Sequence, residues 1–275
     1  MIIDGKKMAE AVYENLKNEI QKQNITPTLA AILVGENSAS LRYIKQKQKW
    51  ADFIGIDFKL IQLKSNLTQI ELEKKIDEVN NNTSIDGYIV QLPLPKHINE
   101  TAIISKINVS KDVDGFHPEN VWKVLIGDST GFVPCTPAGV MYMFENMKTN
   151  LSGKLITIVW RSNIVWKPLA ALLINAWATV TVCNSKTVHL KKHTSTADIV
   201  IMATGQPHLL KVDMVKIGTT VIDVWFTVID GKIYWDADFD IMEKIWNTIT
   251  PVPGWVWALT VAMLMKNTLK AAMLK

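Results

Sequence analysis

Only two cysteines, Cys135 and Cys183, occur among 275 residues. Two thiols are too few for a disulfide framework, which points to a reducing compartment and to a cytoplasmic protein. No stretch reaches about eighteen consecutive apolar residues, so no membrane-spanning helix is expected. The opening MIIDGKKMAEAVYENLKNEI lacks an apolar signal core and reads as a short strand and an amphipathic helix, so no targeting segment is expected. Charge is sparse as well, at 20% of residues with a net charge of +4. Without a dense Lys/Arg cluster interleaved with aromatics, a nucleic-acid partner is not expected; the mild positive balance suits anionic small molecules. The histidines are scattered, no carboxylate completes a metal triad with His189 and His193, and no metal is expected. A GxSxG nucleophile motif is missing, and neither cysteine has a histidine near it in sequence.

The most telling scarcity is local. From Lys154 to Thr187 the chain reads strand (Leu155–Val159), tight turn, helix (Leu169–Ala176) and strand (Ala178–Cys183), one βαβ unit of about thirty residues. Such a turn presents backbone N–H groups and a helix N-terminus to a phosphate. A dinucleotide fingerprint needs glycine there, yet the turn is bracketed by Trp160 and Trp166, which leaves both a generic βαβ unit and a nucleotide site open. About twenty residues on, Cys183-Asn184-Ser185-Lys186-Thr187 carries no carboxylate for a ribose hydroxyl; with Arg161 it suits a 2′-phosphate instead.

Around this unit, helices and strands alternate. Apolar residues at Met8, Val12, Leu16 and Ile20 predict a helix over 8–21, followed by a strand at 28–34. A helix to Ile54 is expected to be capped by Ser38 or Ser40, then a strand at 58–63, a helix over 69–80 capped by Thr68, and GYIVQ as a strand ending at Gln91. This alternation predicts an α/β domain with a largely parallel sheet. From Ser110 to Gly139 periodicity lapses, marking an inter-domain loop or an active-site rim. A helix over 140–147, strands at 199–203 and 220–224, a hairpin at Asp230-Gly231, a loop over 250–257 and a closing helix over 259–274 complete the expectation.

Tyr43 and Lys47, four apart, share a helix face. A phenol beside a partly buried ammonium can share a proton near neutrality, whereas Lys45 and Lys49 nearby equally suit a solvated basic face. Gln91 ends a strand where open α/β sheets bind ligands, or it simply closes the strand. Asp112 and Asp114 either pair as acid and base or belong to an ordinary Asp-Gly turn.

Six stretches in order, Ser40-x-x-Tyr43-x-x-x-Lys47, Val90–Pro95 (VQLPLP), Lys111–Pro118 (KDVDGFHP), Pro134–Pro137 (PCTP), Arg161–Val165 (RSNIV) and Thr250–Gly254 (TPVPG), resemble the bifunctional methylenetetrahydrofolate dehydrogenase/cyclohydrolase family across essentially the whole chain. The resemblance implies two α/β domains with a cleft between them: a catalytic, folate-binding domain over 1–138 and a Rossmann-type NADP-binding domain over 139–258, with the last helix, 259–275, returning to the first. It implies oxidation of 5,10-methylenetetrahydrofolate with NADP and hydrolysis of the methenyl product to 10-formyltetrahydrofolate, in a homodimer. Lys47 resembles the catalytic lysine, Tyr43 the tyrosine that stacks on the folate, Gln91 the glutamine that tunes the lysine and Asp114 the aspartate that binds the pterin. Trp160, Arg161, Ser162, Ser185 and Phe226 fall at cofactor positions, and Pro253 and Gly254 at substrate positions.

The departures are systematic. Trp122, Trp160, Trp166, Trp177, Trp225, Trp235, Trp255 and Trp257 stand where this family typically has glycine. Forcing a bulky residue into glycine backbone costs about 1–3 kcal/mol per site. A codon read as glycine in the source and rendered as tryptophan accounts for the pattern; if the tryptophans are real, a cyclohydrolase alone or a non-catalytic folate-binding remnant is the alternative.

Overall fold

A computed structural model describes residues 4–160, 166–224, 226–230, 232–238, 242 and 255–275. The chain divides into two compact units, Glu10–Cys135 with Thr260–Lys275 and Met1–Ala9 with Thr136–Leu259.

The unit built on Glu10–Cys135 holds a three-stranded parallel sheet in the order β2-β1-β3, from β1 (Thr28–Val34), β2 (Asp57–Leu63) and β3 (Gly87–Val90). Leu29 lies opposite both Phe58 and Gly87. All seven residues of β1 are buried, which is why TLAAILV runs apolar without alternation: a central parallel strand is covered on both faces. Val12, Leu16 and Ile20 of α1 (Gly5–Gln23) are buried as the helical spacing predicts. Leu72, Ile76 and Val79 of α3 (Gln69–Asn81) pack with Ala30, Ile32 and Val34 of β1.

Caps fix where these helices begin. At α2 (Ser38–Ile54), Asn37 and not the predicted Ser38 or Ser40 is the cap; its side chain accepts from Ala39 N at 3.0 Å and Ser40 N at 3.1 Å, and Gly55 at φ 89° ends the helix. Thr68 caps α3 as expected, in a reciprocal box with Glu71. After α4 (Glu100–Lys106), the stretch expected to be irregular contains another helix, α5 (Pro118–Ile126). His117 caps it by accepting from Glu119 N, Pro118 opens it and Gly127 at φ 76° closes it.

The other unit carries a four-stranded parallel sheet. Its elements are α6 (Cys135–Asn146), starting before the predicted Val140, β4 (Leu155–Trp160), α7 (Trp166–Asn175), β5 (Thr179–Cys183), α8 (Leu190–Thr194), β6 (Ile199–Ala203) and β7 (Thr220–Asp223). The order is β5-β4-β6-β7, with Ile156 opposite Val180 on one side and Ile199 on the other. The direction of winding reverses between β4 and β6, the switch point at which open α/β sheets place ligands. The predicted hairpin is present as antiparallel β8 (Phe226–Ile229) and β9 (Lys232–Trp235). The closing helix, α9 (Trp255–Met273), starts before the predicted Leu259, within what was expected to be loop.

One tryptophan displays the glycine geometry directly. Trp177 follows α7 with φ 62° and is 81% exposed. Trp177 N donates to Ile174 O and Ala178 N to Leu173 O, the hydrogen-bond pattern of a left-handed helix terminus that glycine ordinarily occupies.

Candidate active site

Lys47, Gln91 and Asp114 come from three separate segments of one unit: α2, the residue after β3, and the turn before α5. Position on α2 decides what kind of lysine each neighbour is. Lys45 and Lys49 are exposed, whereas Lys47 faces inward and is 7% exposed. The solvated-face reading therefore holds for its neighbours and fails for Lys47. Tyr43, one turn earlier on α2, is half-buried.

The Lys47 amine donates to Gln91 Oε1 at 3.0 Å. Gln91 Nε2 donates to the carbonyl of Leu92 at 2.8 Å, and its backbone N–H to Ile32 O at 2.9 Å. The amide is thus held so that its oxygen, not its nitrogen, meets the amine. Burial pushes the Lys47 pKa down, opposed by the negative charge of Asp114 and, less, by Cys135. Burial also pushes the Asp114 carboxyl up; Lys47 opposes the shift and the nearby Asp112 adds to it. An amine and a carboxyl that both lean toward their neutral forms can exchange a proton at small cost, which is the condition for acid–base work near neutrality.

Asp112 has a different task from the acid–base pairing considered for it. Fully buried, it accepts from Phe116 N at 3.2 Å, His117 N at 2.8 Å and Asn120 Nδ2 at 2.8 Å. Asn120 Oδ1 in turn accepts from Phe132 N at 3.1 Å. Three donors consume the Asp112 carboxylate, so it holds the turn together while Asp114 alone interacts with Lys47. Pattern reading missed Cys135: its thiol donates to Val113 O at 3.4 Å, next to Asp114, and burial, followed by the Asp114 charge, pushes its pKa well up, so it stays a neutral thiol. The signal lay in Pro134–Pro137, adjacent to nothing chemically suggestive in sequence.

In the other unit, Trp160 ends β4 and is half-buried. Ser185 is exposed in a turn closed by Asn184 N on Thr187 Oγ1 at 2.9 Å and Lys186 N on Asn184 Oδ1 at 2.9 Å. Phe226 opens β8, its side chain outside the described residues; Arg161, Ser162, Pro253 and Gly254 also lie outside them. The loop after β6 is pinned by Asp236, which accepts from Gly205 N at 3.1 Å, Gln206 N at 2.7 Å and Thr204 N.

Residues 3–114 match a family model described as the tetrahydrofolate dehydrogenase/cyclohydrolase catalytic domain, and residues 134–275 its NAD(P)-binding domain. The chain belongs to the tetrahydrofolate dehydrogenase/cyclohydrolase family. Among relatives in the family, the bifunctional protein FolD of Nautilia profundicola is 47% identical over 275 residues, covering 98% of this chain and 96% of that protein. The FolD of Bacillus subtilis is 45% identical, covering 98% and 97%. Of solved structures, the FolD dehydrogenase/cyclohydrolase of Campylobacter jejuni superposes with a TM-score of 0.96 at 44% identity, covering 99% of this chain and 98% of that one. The Trypanosoma brucei FolD, solved with NADP and an inhibitor, gives 0.92 at 35%, covering 98% and 96%.

Two features of this family member's second unit suit a phosphorylated dinucleotide. The turn after β5 offers Ser185, Lys186 and Thr187 without a carboxylate, and the strand order reverses beside β4.

Proposed function

We infer that this enzyme oxidises 5,10-methylenetetrahydrofolate with NADP and hydrolyses the methenyl product to 10-formyltetrahydrofolate, with Lys47 handling the proton of the hydrolytic step. The single observation that carries the role of Lys47 is its amine: buried, depressed in pKa, seated on Gln91 Oε1 and subject to the field of Asp114. Residues 1–138 form the folate-binding, catalytic part, residues 139–258 the NADP-binding part, and the helix 259–275 returns to the first. Ser185, with Arg161, Ser162, Trp160 and Phe226, holds NADP, which supplies the acceptor for the hydride that leaves the methylene carbon. Pro253 and Gly254 line the folate. The active enzyme is a homodimer in the cytoplasm.

Each residue of the first unit then has a chemical task. Tyr43, one turn from Lys47, orients the pterin by stacking, which converts an encounter into a positioned reaction. Asp114 accepts from the pterin N–H groups. When water attacks the methenyl carbon, the neutral Lys47 amine takes one of its protons and returns it to the ring nitrogen that departs as the ring opens, while the proton left on the hydroxyl is released to solvent as the formyl carbonyl forms. Gln91 stabilises the ammonium formed in between, because its amide is locked with the oxygen toward Nζ.

An absorbance assay with methylenetetrahydrofolate and NADP tests this reading. NADPH should form, and methenyl absorbance should decay faster than in buffer. Lys47→Met should slow the decay by about 100-fold or more. Hydrolysis without NADPH formation would leave a cyclohydrolase alone, and neither signal would leave a folate-binding remnant. Undiminished hydrolysis in Lys47→Met would remove the lysine from the mechanism.

A further inference from the structure

The turn that carries Asp114 has little regular structure of its own, so something else must set its position. Gly115, at φ 74°, lies against the neighbouring segment so tightly that a Cβ there would come within 2.7 Å of Pro134 N and 2.8 Å of Phe132 O. Segments 112–115 and 132–135 are therefore in backbone contact, with Asp114 on one and Cys135 on the other. Three side chains span the junction: Asn120 links Asp112 to Phe132 N, the Cys135 thiol donates to Val113 O at 3.4 Å, and Asn267 ties the two backbones together by their carbonyls. Asn267, on α9, donates from Nδ2 to Val113 O at 2.9 Å and to Val133 O at 3.0 Å, and the same nitrogen lies 3.8 Å from Cys135 Sγ. An amide nitrogen carries two hydrogens, so one group serves both carbonyls at once. Lys270, three residues on, donates to Ser129 O at 3.0 Å and Gly131 O at 2.7 Å, which fixes the stretch leading into the second segment.

We propose that Asn267 is a positioning residue for the cyclohydrolase step, holding the Asp114 turn and the Cys135 segment at one spacing and thereby setting the field that Lys47 experiences. The inference rests on the hydrolytic role of Lys47 inferred above. Asn267 acts only through these two segments. The charged group that bears on Lys47 is Asp114, with the neutral Cys135 thiol beside it, and the titratable groups that face Asp114 are Lys47, Asp112 and Cys135. Because Asp114 raises the lysine pKa against the effect of burial, loosening its turn weakens that support, and the amine then loses its proton at a lower pH. A residue that merely held α9 in place would cost stability without moving this titration.

The neighbouring position supplies the control. Thr268 is fully buried and donates to Leu264 O at 2.9 Å, a bond within α9 that reaches neither segment. Methenyl hydrolysis would be followed against pH, with thermal midpoints, in the full-length enzyme and in Asn267→Leu and Thr268→Val. Asn267→Leu should lower kcat by about tenfold, the scale of a modest misplacement of reacting groups, and shift the pH profile to lower pH. Thr268→Val should lower the thermal midpoint and leave the profile in place. An unshifted profile in Asn267→Leu, or an equal shift in Thr268→Val, would overturn the proposal. If Asn267→Leu fails to fold, Asn267→Ser, which keeps one donor, should shift the profile the same way by less, and no shift there would overturn it equally. A wild-type enzyme without hydrolysis would defeat the functional reading itself, a separate result.

Discussion

At the scale of single residues, Lys47 is held in a contest that burial wins. Desolvation favours the neutral amine, and the charge of Asp114 recovers only part of the loss. The folded pKa is therefore below the ordinary lysine value, and the base form accumulates at lower pH than for a free lysine. Hydrolysis should rise as pH increases through that depressed pKa and level off above it. Asp114→Asn removes the charge that raises it, so the rising limb should move to lower pH in a pH–kcat profile; movement to higher pH would contradict the assignment. The i, i+4 spacing of Tyr43 and Lys47 was legible in sequence, but which lysine faces inward was not, because Lys45, Lys47 and Lys49 look alike until the helix is docked. Cys135 was illegible for a related reason: its partner Asp114 is brought near only by the fold. Trp177 makes an independent prediction. An L-residue in the left-handed region costs about 1–2 kcal/mol, and the exposed indole recovers little by burial. Trp177→Gly should therefore stabilise the protein by about 1 kcal/mol in denaturant titration, and a loss of stability would show the indole to be useful. The same position discriminates the origin of the tryptophans, since a glycine-mass peptide at 177 in protein isolated from its source is expected if the codon is recoded.

At the scale of elements, α2 matters most because it carries both Tyr43 and Lys47, and its first turn depends on one side chain. Asn37 satisfies two N–H groups that no carbonyl in the helix can reach. Asn37→Ala should cost about 1 kcal/mol in global unfolding, the usual value of such a cap, whereas Ser38→Ala should cost less than half of that. Equal losses would return the cap to Ser38. Sequence reading placed the helix correctly but chose the wrong cap, since Asn37, Ser38 and Ser40 are all competent and only backbone geometry separates them. The helix α5 was hidden for another reason. Its signals, Pro118 after a capping His117 and Gly127 at the end, were present, but Trp122, Leu125 and Ile126 are exposed and blur the apolar stripe from which a helix is recognised. Strands suffered least, because an apolar β-branched run such as Leu155–Val159 or Ile199–Ala203 has no competing reading at that length.

At the scale of the whole molecule, the units interleave along the chain: α9 begins in the unit of Thr136–Leu259 and from Thr260 belongs to that of Glu10–Cys135. The α/β class was legible from the alternation of elements; the return was expected from the family resemblance alone, because the partners of Asn267 lie 134 and 154 residues away and are backbone carbonyls that leave no mark in the residue pattern. Apolarity on most sides of α9 is the one local hint, as expected of a helix that is interior rather than amphipathic. Val261, Met263, Leu264, Met265 and Leu269 are all buried. At roughly 1.5–3 kcal/mol for each, their burial is worth about 7–15 kcal/mol, as large as the roughly 5–15 kcal/mol that holds a typical domain folded. A chain ending at Leu259 should therefore lose the fold of the Glu10–Cys135 unit and all methenyl hydrolysis, and supplying a 260–275 peptide in trans should restore part of both. Retention of a cooperative transition for that unit, together with wild-type hydrolysis, would show that α9 is an accessory and that the catalytic unit closes without it.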